Sequence, residues 1–410
     1  MTAQASMTAP PQARRLPLPE FTAMLAFLFA TVAFSIDAML PALPQIAAEL
    51  SPDAVNRAQL VLTAFVLGLG VGTLVTGPLS DAIGRRRTIL AGALLYMSGA
   101  ALASVAPTLE TLLLARVLQG LGAAGPRIAG LALVRDLYAG REMARVTSFV
   151  MMIFILIPAV APAIGQGIIA FSGWRGVFMA FIVFSCIGLS WLMIRQPETL
   201  PVERRRPLNP RSILAGVAEV MADRDVRLYT SVLMLGFGQM FALLSTAQQL
   251  FAETYGKGPT FPYWFAAMAL LSGAGTVMNA NLVMRLGMRR MAIGAYAAQT
   301  GISGGFVLLL LGGVLPGWAA FPAFFVWATS VFLMAGLTFG NLNALAMEKM
   351  GHIAGTAASV VSAISTVLAV VVAAPVGLLY DGTALPTTMG TFLCSGMAYL
   401  LMRRTMREAA

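Results

Sequence analysis

Gly77-Pro78-Leu79-Ser80-Asp81-Ala82-Ile83-Gly84-Arg85-Arg86-Arg87 closes one apolar run and opens the next, so it reads as a tight turn between two helices. Gly84 permits a turn that most residues could not adopt, and Gly77 permits close helix contact. Asn281-Leu282-Val283-Met284-Arg285-Leu286-Gly287-Met288-Arg289-Arg290 follows a later apolar run in the same way. It keeps the glycine and two basic residues and loses the acid. A turn repeated at matching places in two series of apolar runs marks diverged copies of one helical unit.

Reading outward, the runs fall near 21–41, 58–79, 88–106, 110–134, 144–170, 175–195, 228–251, 261–284, 290–312, 318–345, 354–379 and 385–402. The chain is 58% hydrophobic and 11% charged, with mean hydropathy +0.82. Soluble domains carry about 25% charged residues, so this composition belongs to polytopic membrane proteins. The expected fold class is all-α, with twelve transmembrane helices in two pseudo-symmetric six-helix bundles. The expected divisions are a tail 1–20, a first bundle 21–195, a linker 196–227, a second bundle 228–402 and a tail 403–410. The linker holds Pro197, Pro201, Pro207, Pro210 and Arg204-Arg205-Arg206, and Arg211 to Asp225 suits a short amphipathic helix on the membrane face. No cleavable signal peptide is expected, since the first apolar run is too long for one.

The net charge of +10 follows topology. With both termini cytoplasmic, every Lys and Arg of the 27 falls inside except Arg57, Arg175 and Lys257 outside and Arg116 and Arg127 within a span. That is the positive-inside rule, and it leaves no reason to invoke nucleic acid. Cys186, Cys394 and the single His352 have no metal-ligand spacing, so neither metal nor cofactor is expected. A phosphate-binding loop and a catalytic constellation are both lacking, so the chain is expected not to be an enzyme, and its work must draw on an ion gradient or on the substrate's own. The expected partners are a small-molecule substrate, protons and the lipid bilayer, with the chain acting as a monomer.

Charge inside the spans is scarce. Ionisable groups at membrane depth cost roughly 2.5–3.5 kcal/mol on insertion scales, so Asp37, Arg116 and Arg127 stand out. At ~1.5 Å per residue Asp37 stands about 27 Å above Pro19, and Arg116 roughly 10 Å below the opposite start near Leu109. In a membrane about 30–40 Å thick these depths nearly coincide. An arginine nearby favours the charged carboxylate and a dry surrounding the neutral one, which suits a proton carrier. The plainer alternative is that Asp37 is wetted near the outer mouth and ends a helix before Pro41. Arg127 lies three turns from Arg116 on the same face, and either forms a second cavity charge or snorkels toward Asp136.

The Gly77–Arg87 segment resembles the signature loop of the major facilitator superfamily. Leu113-Leu114-Ala115-Arg116-Val117-Leu118-Gln119-Gly120-Leu121-Gly122 resembles that family's fourth-span motif. Leu133-Val134-Arg135-Asp136-Leu137-Tyr138 and Ile36-Asp37-Ala38-Met39-Leu40-Pro41-Ala42-Leu43-Pro44 are similar to segments of its Bcr/CflA drug-exporter branch. Pro158-Ala159-Val160-Ala161-Pro162-Ala163-Ile164-Gly165-Gln166-Gly167 resembles the antiporter motif, with Gln166 in place of a glycine. Leu131 stands where the branch usually has an arginine.

The resemblance implies substrate binding between two rocking halves, proton coupling through Asp37 and Arg116, and an inner gate of Gly77, Asp81, Gly84, Arg85, Arg135 and Asp136. In that gate Asp81 is expected to accept from the start of span eleven at Gly355-Thr356. Pro158, Pro162 and Gly165 would carry the antiporter motif. The residues expected to line the substrate cavity are Phe34, Gln119, Arg127, Phe154, Phe237, Gln239, Phe241 and Asn341. The expected function is proton-coupled efflux of drug-like amphipathic molecules across a bacterial inner membrane. The alternatives are a dedicated metabolite exporter, for an amino acid or sugar, and a non-transporting sensor.

Overall fold

The computed structural model describes residues 16–407, with backbone alone for 144, 151, 153–155, 406 and 407. Most of the expected N-terminal tail, Arg14 and Arg15 included, lies outside the described residues. Helix α1 (Leu18–Asp37) opens at Pro17 and carries a second proline, Pro19, in its first turn. It ends where Pro41 offers no N–H to the carbonyl of Asp37. A 3-10 turn, Leu40–Ala42, leads into α2 (Leu43–Leu50), so the first span reaches Leu50 and not 41.

The chain continues with α3 (Leu60–Ile83), α4 (Arg85–Ser104), α5 (Leu109–Leu137) and α6 (Gly140–Arg195). After the linker helix α7 (Pro210–Ala222) come α8 (Arg224–Gln249), α9 (Phe261–Leu286), α10 (Met288–Leu311), α11 (Gly317–Met347), α12 (Ala354–Leu378) and α13 (Leu385–Arg407). The last helix runs through most of the expected C-terminal tail. Among the described residues there are no strands.

Helix α6 has 56 residues, about 84 Å at the helical rise and nearly three times a hydrocarbon core. Gly173, at φ 68° and ψ −176°, breaks it into two crossings. Among the described residues ten helical segments are long and apolar enough to cross a membrane. α6 crosses twice, and α13, with Thr387, Thr388, Thr391 and Ser395 buried against the bundle, supplies the last of twelve crossings.

The duplication is visible in the backbone. Gly84 separates α3 from α4 at φ 101°, ψ 160°, and Gly287 separates α9 from α10 at φ 81°, ψ 152°. Two equivalent turns use the same left-handed region, where only glycine is unstrained. The bundles meet along α3 with α12 and along α6 with α9. These are the two contacts that one pseudo-twofold axis would exchange.

Small residues set the helix spacing inside the first bundle. A side chain on Gly120 would strike the Phe65 carbonyl of α3, and one on Gly68 the Val117 carbonyl of α5. A Cβ on Gly92 would sit 2.8 Å from the Gly125 Cα, where α4 crosses α5. Gly70 faces the other way, with Val367 N of α12 at 3.2 Å from its Cβ position. Thus α3 packs on its own bundle with Gly68 and on the other with Gly70. In lipid such backbone approach is a main source of helix association.

The linker helix α7 appears where the amphipathic pattern placed it. It packs on α12 and α8, buries Val220, and brings Glu219 Oε1 to 3.1 Å from His352 Nε2.

Gly120→Ala forces a methyl into the Phe65 backbone, whereas a methyl on Gly340 meets nothing within 4 Å. Overpacking costs roughly 1–3 kcal/mol. Thermal unfolding in detergent should show a clear drop in Tm for Gly120→Ala and none for Gly340→Ala.

Candidate functional site

Asp37 is the last residue of α1 and only 4% exposed. A carboxylate there faces the negative end of its own helix dipole as well as an apolar surrounding. Among the described residues it has no ion pair within 4 Å and no hydrogen bond. The helix end that carries it is pressed by α6: a Cβ on Gly165 would overlap the Ala38 carbonyl. Pro158 and Pro162 lie in α6 within two turns of Gly165, so the span-five motif is seated against the residue after the acid. Sequence alone gave no hint of this contact.

Arg116 is fully buried, and it is not paired with Asp37 as its depth suggested. Its Nε donates to Val61 O at 3.1 Å, Nη2 to Ser35 O at 3.1 Å and Nη1 to Gln119 Oε1 at 2.6 Å. Its guanidinium carbon lies 4.4 Å from the Phe65 ring centre and 5.9 Å from that of Phe178. Ser35 Oγ and Tyr96 Oη, 2.6 Å apart, complete the cluster. The cation is therefore dispersed over neutral acceptors on α1, α3 and α5. It reaches the acid only through the last turn of α1, where Ser35 stands two residues before Asp37.

Several expected cavity residues lie elsewhere. Gln119 is fully buried as the partner of Arg116. Phe34 packs inside the first bundle on Phe181 and Phe184 of α6, at 5.3 and 5.1 Å between ring centres. Gln239 accepts from Ser395 Oγ at 2.7 Å and joins α8 to α13. Each polar or aromatic residue satisfied a neighbour in its own bundle first. Phe237 contacts Phe241 and Phe339, at 6.0 and 4.4 Å, and Asn341 Nδ2 donates to Asn279 Oδ1 at 2.7 Å across α11 and α9. Arg127 is half-buried and, among the described residues, makes no ion pair or hydrogen bond. It does not reach Asp136, as snorkelling would require. The Phe154 side chain lies outside the described residues.

At the basic end the loop is a compact ion cluster. Arg85 Nε donates to Asp136 Oδ2 at 2.9 Å, and its Nη1 to Asp81 Oδ1 at 2.5 Å and Ser80 Oγ at 3.1 Å. Asp81 is thus held by Arg85, four residues on, and not by the start of α12. It is Arg135 that approaches that start, with Nη1 3.6 Å from a Cβ on Gly355, while Gly77 faces Ser359 of α12. Glu198, which no motif singled out, accepts from Arg85 N at 2.9 Å and Arg86 N at 3.1 Å. It caps the first turn of α4 from 113 residues away. A Cβ on Gly84 would sit 2.5 Å from its Oε2, so Gly84 is needed for space as well as for its φ.

The opposite end is closed by uncharged groups. Asn56 Nδ2 donates to Tyr380 O at 2.6 Å and Leu378 O at 3.2 Å, and Gln249 Nε2 to Asn56 Oδ1 at 3.2 Å. Gln59 Nε2 also donates to Gln249 Oε1. These amides join the loop before α3 to the ends of α8 and α12, across the two bundles.

Comparison with known proteins agrees with this geometry. A family model described as Major Facilitator Superfamily matches residues 25–374. The MFS-type transporter YdgK of Bacillus subtilis (strain 168) is 30% identical over 88% of this chain and 90% of its own. A bicyclomycin resistance protein homolog of Haemophilus influenzae is 28% identical over 93% of this chain and 96% of its own. The crystal structure of a D-xylose-proton symporter superposes with a TM-score of 0.71 at 14% identity, over 93% of this chain and 97% of that one.

Glu198→Ala should free two backbone N–H groups at the start of α4 and lower stability by roughly 0.5–2 kcal/mol. Hydrogen exchange at Arg85 and Arg86 should accelerate, and Glu198→Gln, which keeps an acceptor oxygen, should restore part of the protection.

Proposed function

The chain belongs to the major facilitator superfamily, a family of multi-pass membrane transporters, and on that premise we propose that it is a proton-coupled exporter of drug-like amphipathic molecules. The observation that carries the coupling is Asp37: a carboxyl buried at the broken end of α1, with no ion pair or hydrogen bond among the described residues. In this conformation the neutral, protonated form is the one such a surrounding tolerates. Rocking of the halves parts the first bundle from the second along α3 with α12 and α6 with α9, wets the acid and releases its proton on the other side. Arg116 is a positioning residue in this scheme. By holding the Ser35 carbonyl it fixes the last turn of α1, so that movement of the bundles is felt at Asp37.

The two closures supply the alternating states. Breaking the amide contacts of Asn56, Gln59 and Gln249 opens one end, and parting Arg135 and Gly77 from α12 opens the other. The Asp81–Arg85–Asp136 cluster keeps the α3–α4 turn rigid throughout. The positive-inside distribution supports placing the Arg85 end in the cytoplasm, with both termini there and the protein in a bacterial inner membrane. The resistance name of the Haemophilus influenzae relative supports drug export. Transport leaves the cargo chemically unchanged, and one chain holds the whole pathway.

One proton falling through 100 mV is worth about 2.3 kcal/mol, about a 50-fold concentration ratio. Proteoliposomes with an acidic lumen should accumulate radiolabelled bicyclomycin toward that ratio, since an antiporter drives cargo to the acid side. Asp37→Asn should equilibrate bicyclomycin without accumulating it, at unchanged Tm. Wild-type-like accumulation by Asp37→Asn would remove the acid from the mechanism. Saturable binding with no flux at any pH would indicate a sensor instead.

A further inference from the structure

Arg127 is the one interior charge of the first bundle that the coupling scheme does not use. It lies ten residues from the end of α5, about 15 Å at the helical rise, and so within the bilayer. Its face is an interior one. Ala123, Ala124, Gly130 and Val134 around it are buried, whereas Leu114, on the lipid side of the same helix, is 69% exposed. Yet Arg127 itself is only half-buried among these buried neighbours.

Among the described residues no carboxylate forms an ion pair with it. Asp136 is taken by Arg85 Nε at 2.9 Å and Thr199 Oγ1 at 2.8 Å. Glu110 is paired with Arg57 at the opposite end of α5, at 2.8 Å. Arg116 contacts the last turn of α1 at Ser35, two residues before Asp37, and Arg127 lies eleven residues from Arg116, about 16 Å along α5. The second bundle carries its acids at or beyond its helix ends: Asp223, Asp225, Glu253, Glu348 and Asp381. An arginine at this depth without a counter-ion is costly, and a guanidinium fork matches a carboxylate in plane and spacing.

We infer that Arg127 is the anion-recognition point of the transport pathway, and that the favoured cargo is an amphipathic molecule bearing a carboxylate or a comparable planar anion. This rests on the exporter reading above and gives it a substrate class. It also fits the energetics of export, because an anion leaving and a proton entering both move with an inside-negative potential. Lipophilic cations are disfavoured by the same charge.

The test is equilibrium binding without any gradient, so it stands apart from the flux assay on Asp37. Purified protein in neutral maltoside micelles is titrated with 2-naphthoate, 2-naphthamide and 2-naphthylmethylammonium, which differ mainly in charge. Wild type should bind 2-naphthoate at least tenfold more tightly than 2-naphthamide and the ammonium most weakly. Arg127→Gln should lose that preference while still binding 2-naphthamide, which shows that it is folded, and Arg127→Lys, which keeps the charge without the fork, should retain only part of it. Equal affinity for the three probes in wild type, no saturable 2-naphthoate binding, or a preference that survives Arg127→Gln would each overturn the assignment. Displacement of 2-naphthoate by equimolar phosphatidylglycerol would mark a lipid site and overturn it too.

Discussion

A guanidinium taken out of water has to be solvated by something, and for Arg116 that something is the protein. Three helices converge on it: α1 through the Ser35 carbonyl, α3 through the Val61 carbonyl and the Phe65 ring, and its own α5 through Gln119. Hydrogen bonds to a charged group are worth about 1.5–3 kcal/mol each, and leaving the cation unbonded would cost more. The close approach that lets the arginine reach both neighbours depends on Gly68 and Gly120, which bring α3 and α5 to backbone contact. The bond to Ser35 O also holds the last turn of α1, which Pro41 then ends.

Since Arg116 is satisfied by neutral groups, Asp37 is left without a polar partner among the described residues. That arrangement differs from a buried ion pair, in which both charges stabilise each other and neither readily titrates. In the proposed coupling, separating the cation from the acid leaves the carboxyl responsive to its exposure to water. Gly165 puts α6 directly on the residue after the acid, so the motif of the fifth crossing and the end of the first helix pack as one contact inside the first bundle.

The two ends of the molecule are held by different chemistry. At the basic end, ion pairs form inside each bundle, Asp81–Arg85–Asp136 in the first and Asp225–Lys349 and Arg289–Glu348 in the second, and the first set with Glu198 of the linker stiffens a turn. At the opposite end, amides of Asn56, Gln59 and Gln249 reach across both bundles. Neutral hydrogen bonds contribute about 0.5–1.5 kcal/mol each and can be exchanged for water with little loss. A closure that must open in every cycle is better made from such bonds than from buried ion pairs.

Twelve apolar runs, a doubled Gly-basic turn, the side that carries the arginines, the amphipathic linker helix and the charged residues inside the spans are all legible in the chain alone. All of these are periodicities or compositions, and a chain in lipid has little choice but to satisfy its backbone within helices. Which residue touches which was decided only by the tertiary structure. The spacing of Arg116 and Gln119 put them on one face but could not say that the face is sealed against α1 and α3. Gln239 and Phe34 looked like pathway residues because they are polar or aromatic in apolar runs, and each proved to have a partner inside its own bundle. Glu198 capping α4 and Gly165 pressing on Ala38 are contacts between residues more than a hundred positions apart. Only the folding of the chain brings them together, because a buried polar group takes whichever partner packing presents to it.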